Sequence, residues 1–318
     1  MATEGNLTQQ QVELVLNCSC NLGESPIYDA RNDTLYFVDI NGMEIHSLML
    51  DTRHHAVFKL DEPIGCVFLT RQVGTVGVGT KRRLMKVRLP GHPDEENGHI
   101  EEIGALDADS VDEQCMRFND GKVSPSGTAL IIGHMHSKWR EGHQGRLYVW
   151  STESRQFKDV TPPGGIGLPN GMAWNSDNTA MYSVDSCAES ITQYPTDSGS
   201  GVPLVDDTEN TKVINALPTG HKHVPDGMAI DTSGNLWVAL GDSGSVVCYD
   251  SETGEELQRV SLPVKRPTSC NFGGKDLETL FVTTRVETGE TASQHHGGIF
   301  AVRIPGIRGL SPDPCLDV

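Results

Sequence analysis

The sequence predicts an all-β fold, a six-bladed β-propeller with a central divalent-metal site. Three observations carry the fold. An apolar stretch, a polar turn and a short β-branched or aromatic run recur together six times. The copies begin roughly 40 to 55 residues apart, a blade-sized period rather than that of a helical solenoid. The 34 glycines and 17 prolines punctuate many turns and argue against long helices.

In chain order the copies are Pro26 to Asp39 (PIYDARNDTLYFVD), Cys66 to Gly79 (CVFLTRQVGTVGVG), Gly121 to Gly133 (GKVSPSGTALIIG), Gly171 to Asp185 (GMAWNSDNTAMYSVD), Gly227 to Leu240 (GMAIDTSGNLWVAL) and Cys270 to Thr283 (CNFGGKDLETLFVT). Each reads as a two-stranded hairpin. The second is the weakest, with glycine at Gly74, Gly77 and Gly79. Most copies are followed by a further alternating run, EIHSLMLDT, RLYVWSTES, SITQYPTDS, SVVCYDSETGE or GIFAVRIPG, which reads as an outer strand. A blade cannot bury its faces alone, so blades stack around an axis and the ring closes to remove its edges. Val12 to Leu16 (VELVL) is expected to complete the last blade. Residues 1–11 are then a flexible tail and 12–318 one propeller domain. A seven-bladed WD-repeat array is the rival, but the G-H and W-D signatures are missing.

A formal charge of −18 disfavours nucleic acid and anionic membranes as partners. The N-terminus lacks a charged and an apolar signal region, and no segment has the apolar length of a membrane span, so the chain reads as soluble and cytoplasmic. No protein partner is predicted. The eight scattered cysteines read as reduced thiols, the close pair Cys18 and Cys20 included. No G-x-S-x-G, H-E-x-x-H or phosphate-binding loop is present.

With the copies aligned, one position precedes the first strand's aromatic or apolar residue by four: Glu24, Ile64, Asn119, Asn170, Asp226 and Thr268. Inner strands line a propeller's channel, so equivalent positions converge on the axis. Four of the six bring a carboxylate or amide oxygen. Two acids at one point are costly inside a protein unless a cation neutralises them. The alternative, that N-G and D-G are turn dipeptides, accounts for single copies but not for Glu24. An oxygen-only set favours one divalent cation, Ca²⁺ first, with Zn²⁺, Mn²⁺ or Mg²⁺ as alternatives.

The ordered motifs GESPIYD, RFNDGKVSPSG, PNGMAW, PDGMAID, GNLWVA, TSCNFGGKD and GGIF carry a resemblance. They resemble the family of regucalcin (senescence marker protein), gluconolactonase and luciferin-regenerating enzyme, its regucalcin-like members most of all. The resemblance spans about Cys18 to Ser311 and implies a six-bladed propeller that holds one divalent cation and hydrolyses sugar lactones. It implies Glu24, Asn170 and Asp226 as metal ligands, Arg117 and Asn119 as substrate contacts, and Asp226 also as general base. Asp120, next to Asn119, points the other way along a strand and reads either as support behind the site residues or as turn support.

One departure from the family concerns Gly133 to His143 (GHMHSKWREGH). Regucalcin-like sequences place an acidic substrate contact here, whereas an ungapped reading puts Lys138 at that place. His134 and His136 share a strand face and read as pocket-lining, and with His143 they form a zinc-capable alternative. The histidines of His54-His55, His221-Lys222-His223 and His295-His296 read as surface or loop residues. The loops Trp139 to Gly145 and Glu287 to Gly298 are placed over the channel mouth. The expected function is metal-dependent hydrolysis of a lactone such as gluconolactone, a small-molecule substrate. The alternatives are a calcium-binding regulatory protein without catalysis and a hydrolase of aryl esters, organophosphates or other lactones.

Overall fold

In this computed structural model, residues 12–89, 98–107, 115–216, 223–287 and 294–318 are described; the tail 1–11 and His221 lie outside them. Runs of small, β-branched and aromatic residues, buried on both faces, make the innermost strands. They are Gly23–Asp29, Cys66–Leu69, Met116–Val123, Pro169–Trp174, Val224–Ile230 and Pro267–Gly273, one per blade. Each heads a four-stranded antiparallel sheet, and the six inner strands neighbour one another around a closed ring. Polarity rises toward the rim. The outermost strand His99–Ala105 is exposed along most of its length, while the second strand Thr34–Asp39 is wholly buried.

Val12–Leu16 pairs antiparallel with Ile299–Arg303 and completes the last blade, so the chain's beginning and end share one sheet. The outer runs expected from the sequence are the third strands. The 3₁₀ turn Trp139–Glu141 is the helical element that lies whole within the described residues. No described helix is long and apolar enough to cross a membrane. All eight cysteines are free thiols.

The dipeptides Asn170-Gly171 and Asp226-Gly227 lie inside inner strands, not in turns. Their glycines serve close approach: a Cβ on Gly227 would sit 1.9 Å from Ser269 Oγ, and one on Gly171 2.3 Å from the Met228 nitrogen. Inner strands of adjacent blades therefore crowd the axis where the polar side chains emerge.

Candidate metal and lactone site

Five of the six aligned positions, Glu24, Asn119, Asn170, Asp226 and Thr268, line one cavity at the start of the inner strands. The sixth, Ile64, is fully buried in a hydrophobic cluster. The same five inner strands carry a register irregularity at or beside the ring position: Glu24/Ile27, Phe118/Gly121, Pro169/Met172, Pro225/Met228 and Pro267/Ser269. The inner strand of blade two, which starts two residues after Ile64, pairs without one. A bulge re-aims a side chain that regular alternation would bury between sheets, which explains why polar residues reach the axis in just these blades.

Hydrogen bonds tie blades three, four and five together at this level. Arg117 Nη1 donates to Asn119 Oδ1 and to Phe118 O, both at 2.8 Å. Asn119 Nδ2 donates to Asn170 Oδ1 at 2.8 Å and to Pro169 O at 3.0 Å. Asn170 Nδ2 donates to Ser186 Oγ at 2.7 Å, and Ser186 in turn donates to Pro225 O beside Asp226. Both amides are thereby held with their oxygens oriented by donors that leave a second lone pair on each.

The carboxylates are under strain of charge. Burial pushes the Glu24 carboxyl well above its ordinary range, the charges of Asp226 and Asp120 push it further, and Arg117 opposes. Asp226 is raised by burial and then by Asp120, against Arg117 and Arg285. Burial also lowers the Arg117 guanidinium. Glu24 Oε2 is buried without a hydrogen-bond partner. Two close, desolvated acids, one with an orphaned oxygen, beside oriented amide oxygens fit a hard divalent cation. Among the described residues no three His, Cys, Asp or Glu side chains converge; the axial set is mixed, two acids with amides and a hydroxyl.

Asp120 is absent from this cavity's lining and stands inside the strand rather than in a turn. It lines the next stretch of the channel with Lys122, and burial pushes it up to about 6 against the pull of Lys122 and Arg117.

The segment after Gly133 requires correction. Met135 lines the cavity, so its strand neighbours His134 and His136 face away. His134 Nε2 donates to Lys81 O at 3.0 Å and its ring packs by Phe118 and Tyr148. His136 is buried, stacks on His143 at 4.1 Å, and accepts from the Lys138 backbone N–H at 3.0 Å. Neither lines the pocket, and the histidine zinc alternative has no geometry. Lys138 is exposed on the turn and does not line the cavity; Trp139 and Arg140 from the same loop do. The loop from Glu287 lies partly outside the described residues. His296 lies in a turn, as one of the expected alternatives had it, but is buried there and accepts from the Lys265 backbone N–H at 3.2 Å.

Several positioning residues were missed. Asp39 accepts from the backbone N–H groups of Asn21 and Leu22 and so fixes the entry to Glu24. Asp185 does the same for Gly167 and Leu168 ahead of Asn170. Thr283 bonds Thr268 Oγ1 at 3.0 Å and accepts from Ser269 N–H. All three stand fifteen residues beyond their ring residue, a signal the aligned repeats carried. Arg266 and Arg285, which also line the cavity, have no such marker.

The family described as SMP-30/Gluconolactonase/LRE-like region matches residues 22–286. Pig (Sus scrofa) regucalcin is 33% identical over 313 residues, 96% of this chain and 98% of the relative. A solved structure of a calcium-binding protein, regucalcin, from Agrobacterium tumefaciens superposes with a TM-score of 0.81 at 26% identity, covering 96% of this chain and 97% of that one. A luciferin-regenerating enzyme gives 0.81 at 25% identity over 94% and 96%. Fold, motif order and full-length similarity agree, and the chain belongs to the SMP-30/gluconolactonase/LRE-like family.

Proposed function

We propose that this protein is a metal-dependent lactonase of the gluconolactonase kind, acting in the cytoplasm on a small-molecule lactone without nucleic acid, membrane or protein partner. Family membership supports lactone hydrolysis in general. The observation that carries the finer reading is the pairing of buried Glu24 and half-buried Asp226, both raised by desolvation and then by neighbouring charge, with oriented Asn119 and Asn170 in one cavity. Glu24, Asn170 and Asp226 would hold the cation, Ca²⁺ first among the candidates because every donor is an oxygen. Such an ion, when bound, polarises a carbonyl oxygen and lowers the pKa of water.

Asp226 is partly exposed, into the cavity, and serves as general base. It takes a proton from the water whose oxygen bonds to the lactone carbonyl carbon. As the ring C–O bond breaks, the same carboxyl returns that proton to the departing alkoxide, leaving the open hydroxy acid. Arg117 keeps guanidinium donors beyond Nη1 for substrate oxygens, and Asn119 offers its second carbonyl lone pair. Ser186 and Asp185 hold Asn170 in place from behind.

Protein stripped with a chelator should lose gluconolactone hydrolysis and regain it on addition of a divalent cation. Turnover unaffected by stripping would refute the metal-dependent reading. A solved relative is described as a calcium-binding protein, which favours one second reading, a calcium-binding regulator. Tight Ca²⁺ binding with lactone hydrolysis no faster than buffer would select it.

A further inference from the structure

The cavity that holds the ring is also lined by four arginines, Arg117, Arg140, Arg266 and Arg285, in a chain whose formal charge is −18. They arrive from distant places: the inner strand of blade three, the loop after its second strand, the approach to blade six, and the end of that blade's second strand. Two of them are already engaged. Arg117 bonds Asn119 and Phe118 O, while Arg266 Nε lies 2.8 Å from Asp242 Oδ1 and 3.7 Å from Glu287 Oε1.

Arg285 and Arg140 are different. Neither has a carboxylate within ion-pair distance among the described residues. Arg285 Nε is buried with no hydrogen-bond partner among the described residues. Arg140 lies over the Trp139 ring at 4.1 Å, which stiffens an otherwise mobile side chain at the cavity wall. A second, polar groove lined by Asn21, Asn41 and Glu287 shares Arg266 and Arg285 with the cavity, so these cations stand where the site opens outward.

We propose that the substrate carries an anionic group of its own, a carboxylate or phosphate on the lactone's sugar, held by Arg285 with Arg140 while the lactone carbon faces the axial ring. A neutral sugar's hydroxyl could offer Arg285 Nε only one weakly polarised acceptor, whereas an anion meets the guanidinium with a charge-assisted, fork-shaped pairing about twice as strong. A concave site also focuses the field of its arginines, which counters the repulsion an acidic protein otherwise exerts on an anion. This rests on the lactonase reading for the chemistry at the ring, but the anion contact can be measured without turnover.

Glucose, glucuronate and glucose 6-phosphate, which share one ring and differ in charge, are titrated calorimetrically into the full chain. At least one anionic sugar should bind about tenfold or more tightly than glucose. The preference should shrink in high salt. Whichever anion binds better identifies carboxylate or phosphate. Arg285→Gln should reduce the preference to near unity, Arg285→Lys should keep part of it, and Arg140→Gln should lower it less. Binding of all three sugars within about threefold, or a preference that survives Arg285→Gln in folded protein, overturns the proposal. Gluconolactone hydrolysis is followed on the same samples: absent turnover with an intact anion preference sinks the lactonase reading alone.

Discussion

The two mouths of the channel are built from the same six inner strands and have opposite fates. At the strand starts, the mouth is lined by Glu24, Asn119, Asn170 and Asp226 with arginines above them. At the strand ends, the chain fills its own opening: residues 309–314 line that cavity beside Trp174 and Phe272. This terminal segment is strapped across several blades. Asp313 accepts from Asn271 Nδ2 at 2.6 Å and pairs with Lys122 at 3.2 Å, Gly309 bridges Asp231, and Leu316 bridges Thr70 and is fully buried. The difference teaches that propeller geometry alone does not choose a functional end. Bulges at one end turn polar side chains to the axis, and a covalently attached plug is strapped across the other.

That contrast yields predictions at each mouth. The largest effect belongs to the open one: Asp226→Asn should lower kcat for gluconolactone by about 10²–10⁴-fold while circular dichroism stays that of the parent. A variant retaining more than about a tenth of parental kcat would remove the chemistry from this mouth.

The plug should behave as structure, not as chemistry. Leu316→Ala removes a fully buried side chain and should cost about 2–5 kcal/mol in urea unfolding, with kcat/KM for the folded fraction within about twofold. A large kinetic change with little loss of stability would reverse the roles assigned to the two ends.

The smallest effects concern pH. Glu24 and Asp226 are raised in the folded state, so protons compete with a cation where a free carboxylate would already be ionised. Ca²⁺ affinity by calorimetry should therefore increase from pH 5 to pH 8. A flat profile contradicts the assignment. Asp120 lies between the two mouths with its pKa at about 6 against an ordinary 3.8, so the folded state holds more protons between those values. Its contribution to stability falls as pH rises through that window. Asp120→Asn should abolish that fall, raise Tm at pH 7 by about 2 °C, and move the Ca²⁺ affinity curve to lower pH by removing one charge that lifts both ring acids.

Legibility differed sharply along the chain. All six hairpins and the closing strand Val12–Leu16 were readable because two-residue alternation and blade period are local properties. The ring positions were readable because repeats place equivalent residues at equivalent radii. His134 and His136 were misread because their pair-wise spacing says which two share a face, not which face meets the channel; Met135 took the inward side. Lys138 was misread because an ungapped count ignores the 3₁₀ turn that presents Trp139 and Arg140 instead. Asp39, Asp185 and Thr283 were within reach, at a constant offset from the ring residues and as the last residues of their repeat copies, but only the position before the first strand was compared across copies.

What the sequence by itself determined is the number of blades, the strand that closes them and the radius at which Glu24, Asn119, Asn170 and Asp226 stand. Only the tertiary structure decided that bulges aim these groups at one point, that Arg140 and Arg285 meet them from remote segments, and that the C-terminal segment is strapped across the opposite end. The reason is physical: strand alternation and repeat period are set by neighbours in the chain, whereas desolvation and charge coupling depend on distance through space. No spacing along the chain reveals that a carboxyl has lost its water or that a guanidinium has no partner.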